Sequence, residues 1–195
     1  MHEIIHRELE LPTNQNIFLW GPRQSGKSSL LREQFPNSLY IDLLLTDEYI
    51  KYLKEPYLLR EEILGDINKV PSNIVIDEIQ RVPLLLNEVH HLIENPKTKK
   101  IKFILCGSSA RKLKRGKENL LGGRAIRYEL YGFSAYELKD KFNILKIINH
   151  GYLPRHYLED NYRILIDSYI NDYLKEEIQE EGLVRNIPSF ANFLS

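Results

Sequence analysis

Residues 17–28 read IFLWGPRQSGKS, an apolar run closed by a turn that carries Gly21, Gly26, Lys27 and Ser28. These residues satisfy the spacing G-x-x-x-x-G-K-[ST]. At average residue usage the coincidence arises by accident in about one chain of this length per hundred. Here the match lies between an apolar run and a helical pattern with Leu30, Leu31 and Phe35, the context in which such a turn works. Glycines let the backbone curl around an anion, so that the N–H groups of Ser25 to Ser28 converge on it. The positive end of the following helix adds to that field. Lys27 then reaches the β- and γ-phosphates, and the Ser28 hydroxyl ligates Mg²⁺. The stretch from Gly21 through Pro22, Arg23, Gln24, Ser25, Gly26, Lys27 and Ser28 to Ser29 is expected to bind a nucleoside triphosphate.

Outward from this turn, short apolar runs alternate with helical patterns. Strands are expected at Ile17–Trp20, Leu39–Asp42, Ile74–Ile76, Ile101–Cys106 and Ala125–Leu130. Their continuous apolar character suggests burial on both faces. Between them, a helix is expected over Ser28–Phe35, and a helical region carries Leu53, Leu58, Leu59 and Ile63. Another helix opens at Pro83 and buries Leu85, Leu86, Val89, Leu92 and Ile93. The alternation predicts a three-layer α/β/α fold of the P-loop NTPase kind, with a mainly parallel five-stranded sheet. C-terminal helices follow, at Tyr136–Phe142 and Tyr162–Ile178, the last capped by Gly182. The expected division is an ATPase domain over residues 1–150 and a helical linker or lid over residues 151–195.

A phosphate cradle alone does not separate binding from hydrolysis. The segment NIVIDEIQ, Asn73–Gln80, adds two acids at the carboxyl end of a strand, where open α/β sheets place their ligands. Asp77 can hold Mg²⁺ through water, opposite Ser28, and Glu78 can orient the water that attacks the γ-phosphate. In ILCGSSA, Ser108 stands at the end of another strand as a candidate γ-phosphate sensor. In LGGRAIRYEL, Arg124 is a candidate finger, acting in its own subunit or in a neighbour of a homo-oligomer. No N-K-x-D guanine-reading stretch occurs, so ATP is favoured over GTP. The adjacent Asp77–Glu78 pair favours activation of water over an acceptor substrate, which disfavours a small-molecule kinase. A nucleotide-gated switch with very slow turnover shares every motif and stays open as the alternative.

With these segments in place the chain resembles the AAA+ ATPases. More narrowly, it is similar to a prokaryotic group in which such an ATPase precedes a domain of unknown function. The resemblance rests on FLWGPRQSGKSSLL (18–31), YIDL (40–43), IVIDEIQRVP (74–83), ILCGSSARKL (104–113) and LGGRAIRYELYGFS (121–134). It continues through GYLPRHYL (151–158) and SYINDYLKEEIQEEGLVRNIPSFANFL (168–194). It implies ATP and Mg²⁺ as ligands, with Gly21 to Ser28 on the nucleotide and Ser28 and Asp77 on the metal. It implies Glu78 as the catalytic glutamate, Ser108 as sensor and Arg124 as finger. Relatives of this kind run beyond this length, so a C-terminal domain of the full-length protein is the expected recipient of the nucleotide signal.

Bulk properties exclude several other classes. Lys+Arg 27 against Asp+Glu 27 leaves no net field to attract an anionic membrane or nucleic acid, so nucleic acid stays open as a partner, above all for the switch reading, without support from charge. The basic run Arg111, Lys112, Lys114, Arg115 and Lys117 reads as a solvated helix face. One cysteine among 195 residues rules out an internal disulfide framework. The N-terminus is too charged for a signal peptide, and no apolar run is long enough to span a bilayer. A cytoplasmic location is expected. His90 and His91, adjacent on a helix, lack the i, i+4 spacing of metal ligands. Trp20 and Cys106 read as core.

Overall fold

In the computed structural model, residues 5–108 and 121–174 are described. They fall into two compact units, one formed by Leu9–Pro22 with Gly26–Leu130, the other by residues near the N-terminus, Arg23–Ser25 and the chain from Tyr131 onward.

The first unit is built on a five-stranded sheet in the order β2-β3-β4-β1-β5. The strands are β1 (Ile17–Trp20), β2 (Leu39–Asp42), β3 (Asn73–Asp77), β4 (Lys102–Gly107) and β5 (Ile126–Glu129). Every pairing is parallel. Successive side chains of a strand point to opposite faces, and the core divides accordingly. Phe18, Trp20, Ile74, Ile76, Phe103 and Leu105 belong to one apolar cluster. Ile17, Leu19, Val75, Ile104 and Cys106 belong to the other.

The helices are α1 (Lys27–Gln34), α2 (Thr46–Lys54), α3 (Leu58–Gly65) and α4 (Leu85–Glu94). Leu30 and Leu31 of α1 join the cluster with Leu19, whereas Tyr52, Leu59, Ile63 and Val89 of the other three join the cluster with Trp20. Helices on both faces of a parallel sheet make the three-layer arrangement expected from the sequence. Burying an apolar side chain of this size is worth roughly 1.5–3 kcal/mol. An exposed ion pair such as Lys69–Asp66 or Arg127–Glu129 contributes at most about 1 kcal/mol, so the two clusters, not surface charge, hold the unit together.

Three expectations are corrected here. Burial on both faces holds for β1, β3 and β4, but β5 is mostly exposed and β2 mixed, because both lie at sheet edges. The helix expected to open at Pro83 starts at Leu85; a 3₁₀ turn over Ile79–Arg81 comes first, and Val82 N–H is spent on the Ile79 carbonyl. The helical region before β3 is two helices, interrupted at Pro56, since a proline disfavours helical backbone in the residue before it.

In the second unit, α5 (Ala135–Leu138) opens on a capping box: Ser134 Oγ accepts from the Glu137 amide, and the Glu137 carboxylate accepts from the Ser134 amide. The expected Tyr136–Phe142 helix is thus a single turn followed by a 3₁₀ turn, Lys139–Lys141. Further short helices are α6 (Ile144–His150), α7 (Pro154–Leu158) and α8 (Tyr162–Ser168). A π-helical turn over Tyr169–Leu174 continues α8. Phe133, Leu138 and Tyr157 form its apolar centre, with the Phe133 and Tyr157 rings edge to face at 6.4 Å. The remainder of the expected Tyr162–Ile178 helix, Gly182 and the basic run at 111–117 lie outside the described residues. Among the described residues, no helix is long and apolar enough to cross a membrane.

Candidate functional site

The parallel register brings the carboxyl ends of β1, β3 and β4 side by side, with Trp20 opposite Gly107 and Asp42 opposite Asp77. The chain leaves β1 at Gly21 and re-enters helical geometry at Lys27, through two left-handed residues, Gln24 (φ 63) and Gly26 (φ 92). Glycine takes that conformation without steric cost, and the turn folds back on itself.

Lys27 is buried, and its Nζ donates to the carbonyls of Gly21 and Pro22, each at 2.8 Å. Among the described residues it forms no ion pair. A buried ammonium supported only by carbonyls is an uncompensated charge. Ser25 is wholly buried, and among the described residues neither its Oγ nor the buried Gln24 Oε1 has a hydrogen-bond partner. The buried ammonium and the spare Ser25 hydroxyl, a donor, fit a polyanion; the Gln24 oxygen, an acceptor, adds nothing to that fit. Ser29, by contrast, is exposed on the first turn of α1.

Ser28 Oγ donates to Asp77 Oδ2 at 2.6 Å. Tyr40 Oη, from β2, donates to the same oxygen at 2.7 Å, while the Glu78 amide donates to Oδ1 at 3.0 Å. Asp77 is almost completely buried, and these donors are what make a buried carboxylate tolerable. Burial, reinforced by the hydrogen bond to Asp77, pushes the Tyr40 phenol well above its ordinary range. Tyr40 therefore stays a donor across physiological pH. Burial also raises the Cys106 thiol, in agreement with an inert core cysteine. An acidic carboxylate and an adjacent hydroxyl, both oxygen donors, match the preference of Mg²⁺.

Glu78 follows in the left-handed region, φ 57 and ψ 42. The Gln80 amide nitrogen donates both to Glu78 Oε2 and, at 3.1 Å, to Ser108 Oγ. Gln80 is buried, and its Oε1 packs where a Cβ on Gly107 would stand, 2.2 Å away. The acid, the amide and the serine hydroxyl thus form one hydrogen-bonded row across the ends of β3 and β4.

The structure therefore brings Lys27, Ser28, Asp77, Glu78 and Ser108 to one edge of the sheet. Arg124 is not among them. It lies just before β5, at the amino-terminal edge, where Asn16 donates to its carbonyl and its guanidinium engages Glu94. That hydrogen bond and the charge of Arg124 lower the Glu94 carboxyl below its usual value. Of the two options open for Arg124, a finger in its own subunit does not fit: β5 runs parallel to β1, so the residues before it lie at the end of the sheet away from the turn that follows β1. Tyr40 and Gln80 were missed by motif reading. Their only signal in the sequence is position, one inside YIDL and one two residues after Glu78.

The AAA domain family model matches residues 13–139, well over half of the chain. No curated protein matches by sequence. Among solved structures, the chain is similar to PCH-2 of C. elegans, at 21% identity and a TM-score of 0.42, covering 71% of this chain and 41% of that one. It is similar to the Pif1 helicase of Candida albicans, at 17% identity and a TM-score of 0.40, over 71% and 41% of the two chains. It is also similar to domain III of the Thermotoga maritima replication initiation protein DnaA, at 19% identity and a TM-score of 0.40, over 86% and 79%. The chain thus spans less than half the length of the first two. The family match runs from before the phosphate turn to α5 and takes in all five strands, and on that ground the chain belongs to the AAA domain family of P-loop ATPases.

Proposed function

We propose that this chain is a Mg²⁺-dependent ATPase domain that hydrolyses ATP and uses the state of the γ-phosphate to gate an attached domain. The observation that carries the reading is the convergence of Ser28 on Asp77 at 2.6 Å, next in sequence to a buried Lys27 that forms no ion pair among the described residues. Backbone N–H groups of Ser25 to Ser28 and the Lys27 ammonium would hold the phosphates, within the turn from Gly21 to Ser29. Ser28 and Asp77 would hold Mg²⁺, whose chemistry is to neutralise charge developing on the transferred group. Glu78 orients the attacking water, and Ser108 reads the γ-phosphate. Residues 151–195 serve as the linker to the attached domain. Arg124 enters only as a finger offered to a second copy of the chain.

A switch with slow turnover is the second reading, and one observation favours it: the Glu78 carboxylate is engaged by Gln80. Turnover then depends on how readily that hydrogen bond exchanges for water.

The test is thermal stability of the chain with ATP, ADP or GTP, with and without Mg²⁺. A ligand at a hundredfold excess over its Kd stabilises by about 2.7 kcal/mol. ATP and ADP are expected to raise the melting temperature more than GTP, and the Lys27→Ala variant is expected to lose the effect. Equal shifts in wild type and Lys27→Ala would overturn the cradle. Release of phosphate from ATP then separates hydrolysis from simple gating.

A further inference from the structure

The sequence motifs assign nothing to the residues before Leu9, yet one of the most heavily engaged side chains of the second unit lies there. Arg7 is buried, and its guanidinium is divided among several acceptors. Nε donates to Glu137 Oε1 at 2.7 Å, and Nη2 donates to the carbonyls of Tyr131 at 2.8 Å and Gly132 at 3.3 Å. Its Cζ stands 5.4 Å from the centre of the Phe133 ring. Nη1 donates at 2.6 Å to the carbonyl of Ser25, inside the phosphate turn.

A buried ion pair is a poor source of net stability, because desolvation offsets most of its attraction. Arg7–Glu137 has a geometric consequence instead. Glu137 is itself immobilised, taking the amides of Glu8 at 3.1 Å and Ser134 at 2.8 Å as well as Arg7. The guanidinium is thereby fixed, and its last nitrogen presents a charged donor at one place. The Ser25–Gly26 peptide is trans, as are all described peptides, so its N–H points opposite to its carbonyl. The residues on either side, Gln24 and Gly26, are both left-handed. Glycine makes rotation of such a peptide inexpensive. The Ser25 hydroxyl, which has no partner among the described residues, does nothing to prevent it.

We propose that Arg7 is a positioning residue of the phosphate turn, which by gripping the Ser25 carbonyl aims the Gly26 N–H at the phosphate chain of a bound nucleotide. A cation on the carbonyl also polarises the amide and makes its N–H a stronger donor. Arg7 touches no phosphate. The inference rests on the nucleotide reading of the turn, and it goes beyond the motif, which contains no residue outside Gly21–Ser29.

The test uses ADP as the ligand and the Arg7→Lys variant, which keeps a cation for Glu137 but cannot also reach Ser25. Calorimetric titration is expected to show about tenfold weaker ADP binding, equivalent to about 1.4 kcal/mol. The ADP-induced downfield shift of the Gly26 amide proton, read by NMR, is expected to shrink in the same variant. Unchanged ADP affinity in Arg7→Lys overturns the proposal. So does weaker binding with an undiminished Gly26 shift, which would make Arg7 purely architectural. If the wild-type chain binds no ADP, the nucleotide reading itself falls, a result distinct from either. Should Arg7→Lys fail to fold, the wild type still decides: the Arg7 guanidinium N–H signals are expected to move when ADP binds, and their indifference to ADP refutes the coupling.

Discussion

The row Glu78–Gln80–Ser108 makes Gly107 a sensitive position. A methyl group placed there by Gly107→Ala would stand 2.2 Å from Gln80 Oε1 and 2.8 Å from Trp20 Cζ3. The Gln80 amide is buried between its two partners and cannot yield without releasing both. A hydrogen bond to a charged group is worth about 1.5–3 kcal/mol and a neutral one about 0.5–1.5, so displacing the amide costs roughly 2–4 kcal/mol. The contact with Trp20 adds an overpacking cost of about 1–3 kcal/mol. Only the first part depends on Gln80. In a Gln80→Ala background the methyl group meets Trp20 alone, and Gly107→Ala is expected to be cheaper there by about 2 kcal/mol or more. Urea denaturation followed through the single tryptophan, which is Trp20 in β1 beside Gly107, measures all four corners of this cycle. If Gly107→Ala costs the same with and without the Gln80 amide, the row does not carry the energy assigned to it.

Glu78→Gln is expected to retain ADP binding and to lower phosphate release by about 10²–10⁴-fold, the usual worth of a general base; undiminished release would remove Glu78 from that role. Glu137 is pushed upward by burial, but the hydrogen bonds from Arg7 and from the Ser134 and Glu8 amides prevail and leave its carboxyl below the ordinary 4.5. A depressed folded-state pKa stabilises above the unfolded value and loses that contribution as pH falls through the folded one. Melting temperatures between pH 7 and 3 should therefore drop more steeply in wild type than in Glu137→Gln, and parallel curves would contradict the assignment. If Arg124 serves a second copy, turnover per chain rises with protein concentration in wild type and stays flat in Arg124→Ala, with ADP affinity the same in both. A concentration-independent wild type would leave Arg124 to its bond with Glu94.

The sheet was legible because each buried strand is a short apolar run bounded by Gly, Pro or acid. The boundaries of all five strands fall within one residue of the expected ones at every end. The phosphate turn and the acid pair were legible for a different reason: their chemistry fixes residue type and spacing along a continuous stretch. The same logic fails for Arg7, whose partner Glu137 is 130 positions away. Nothing local distinguishes it from any other arginine. Tyr40 and Gln80 are ordinary residues whose roles come from strand register, which brings Tyr40 beside Val75 and so within reach of Asp77. For Arg124 the sequence left its own subunit and a neighbour equally open. Its glycine neighbours mark a loop, but only the parallel direction of β5 reveals at which end of the sheet that loop lies. The short helices between Ala135 and Leu158 give a periodic pattern little room to declare itself, whereas the expected helix from Tyr162 is present as far as Leu174.

The left-handed backbone at Glu78 bears on how this protein can change. Non-glycine residues adopt that conformation at a penalty of roughly 1–2 kcal/mol, so a search for thermostable variants would be drawn to glycine there, and secondarily to asparagine. Such a variant would gain robustness by discarding the carboxylate. If Glu78 orients water as proposed, a stabilised homologue that lacks an acid at this position is an inactivated scaffold that still embraces its ligand, an easily reached evolutionary route from engine to receptor.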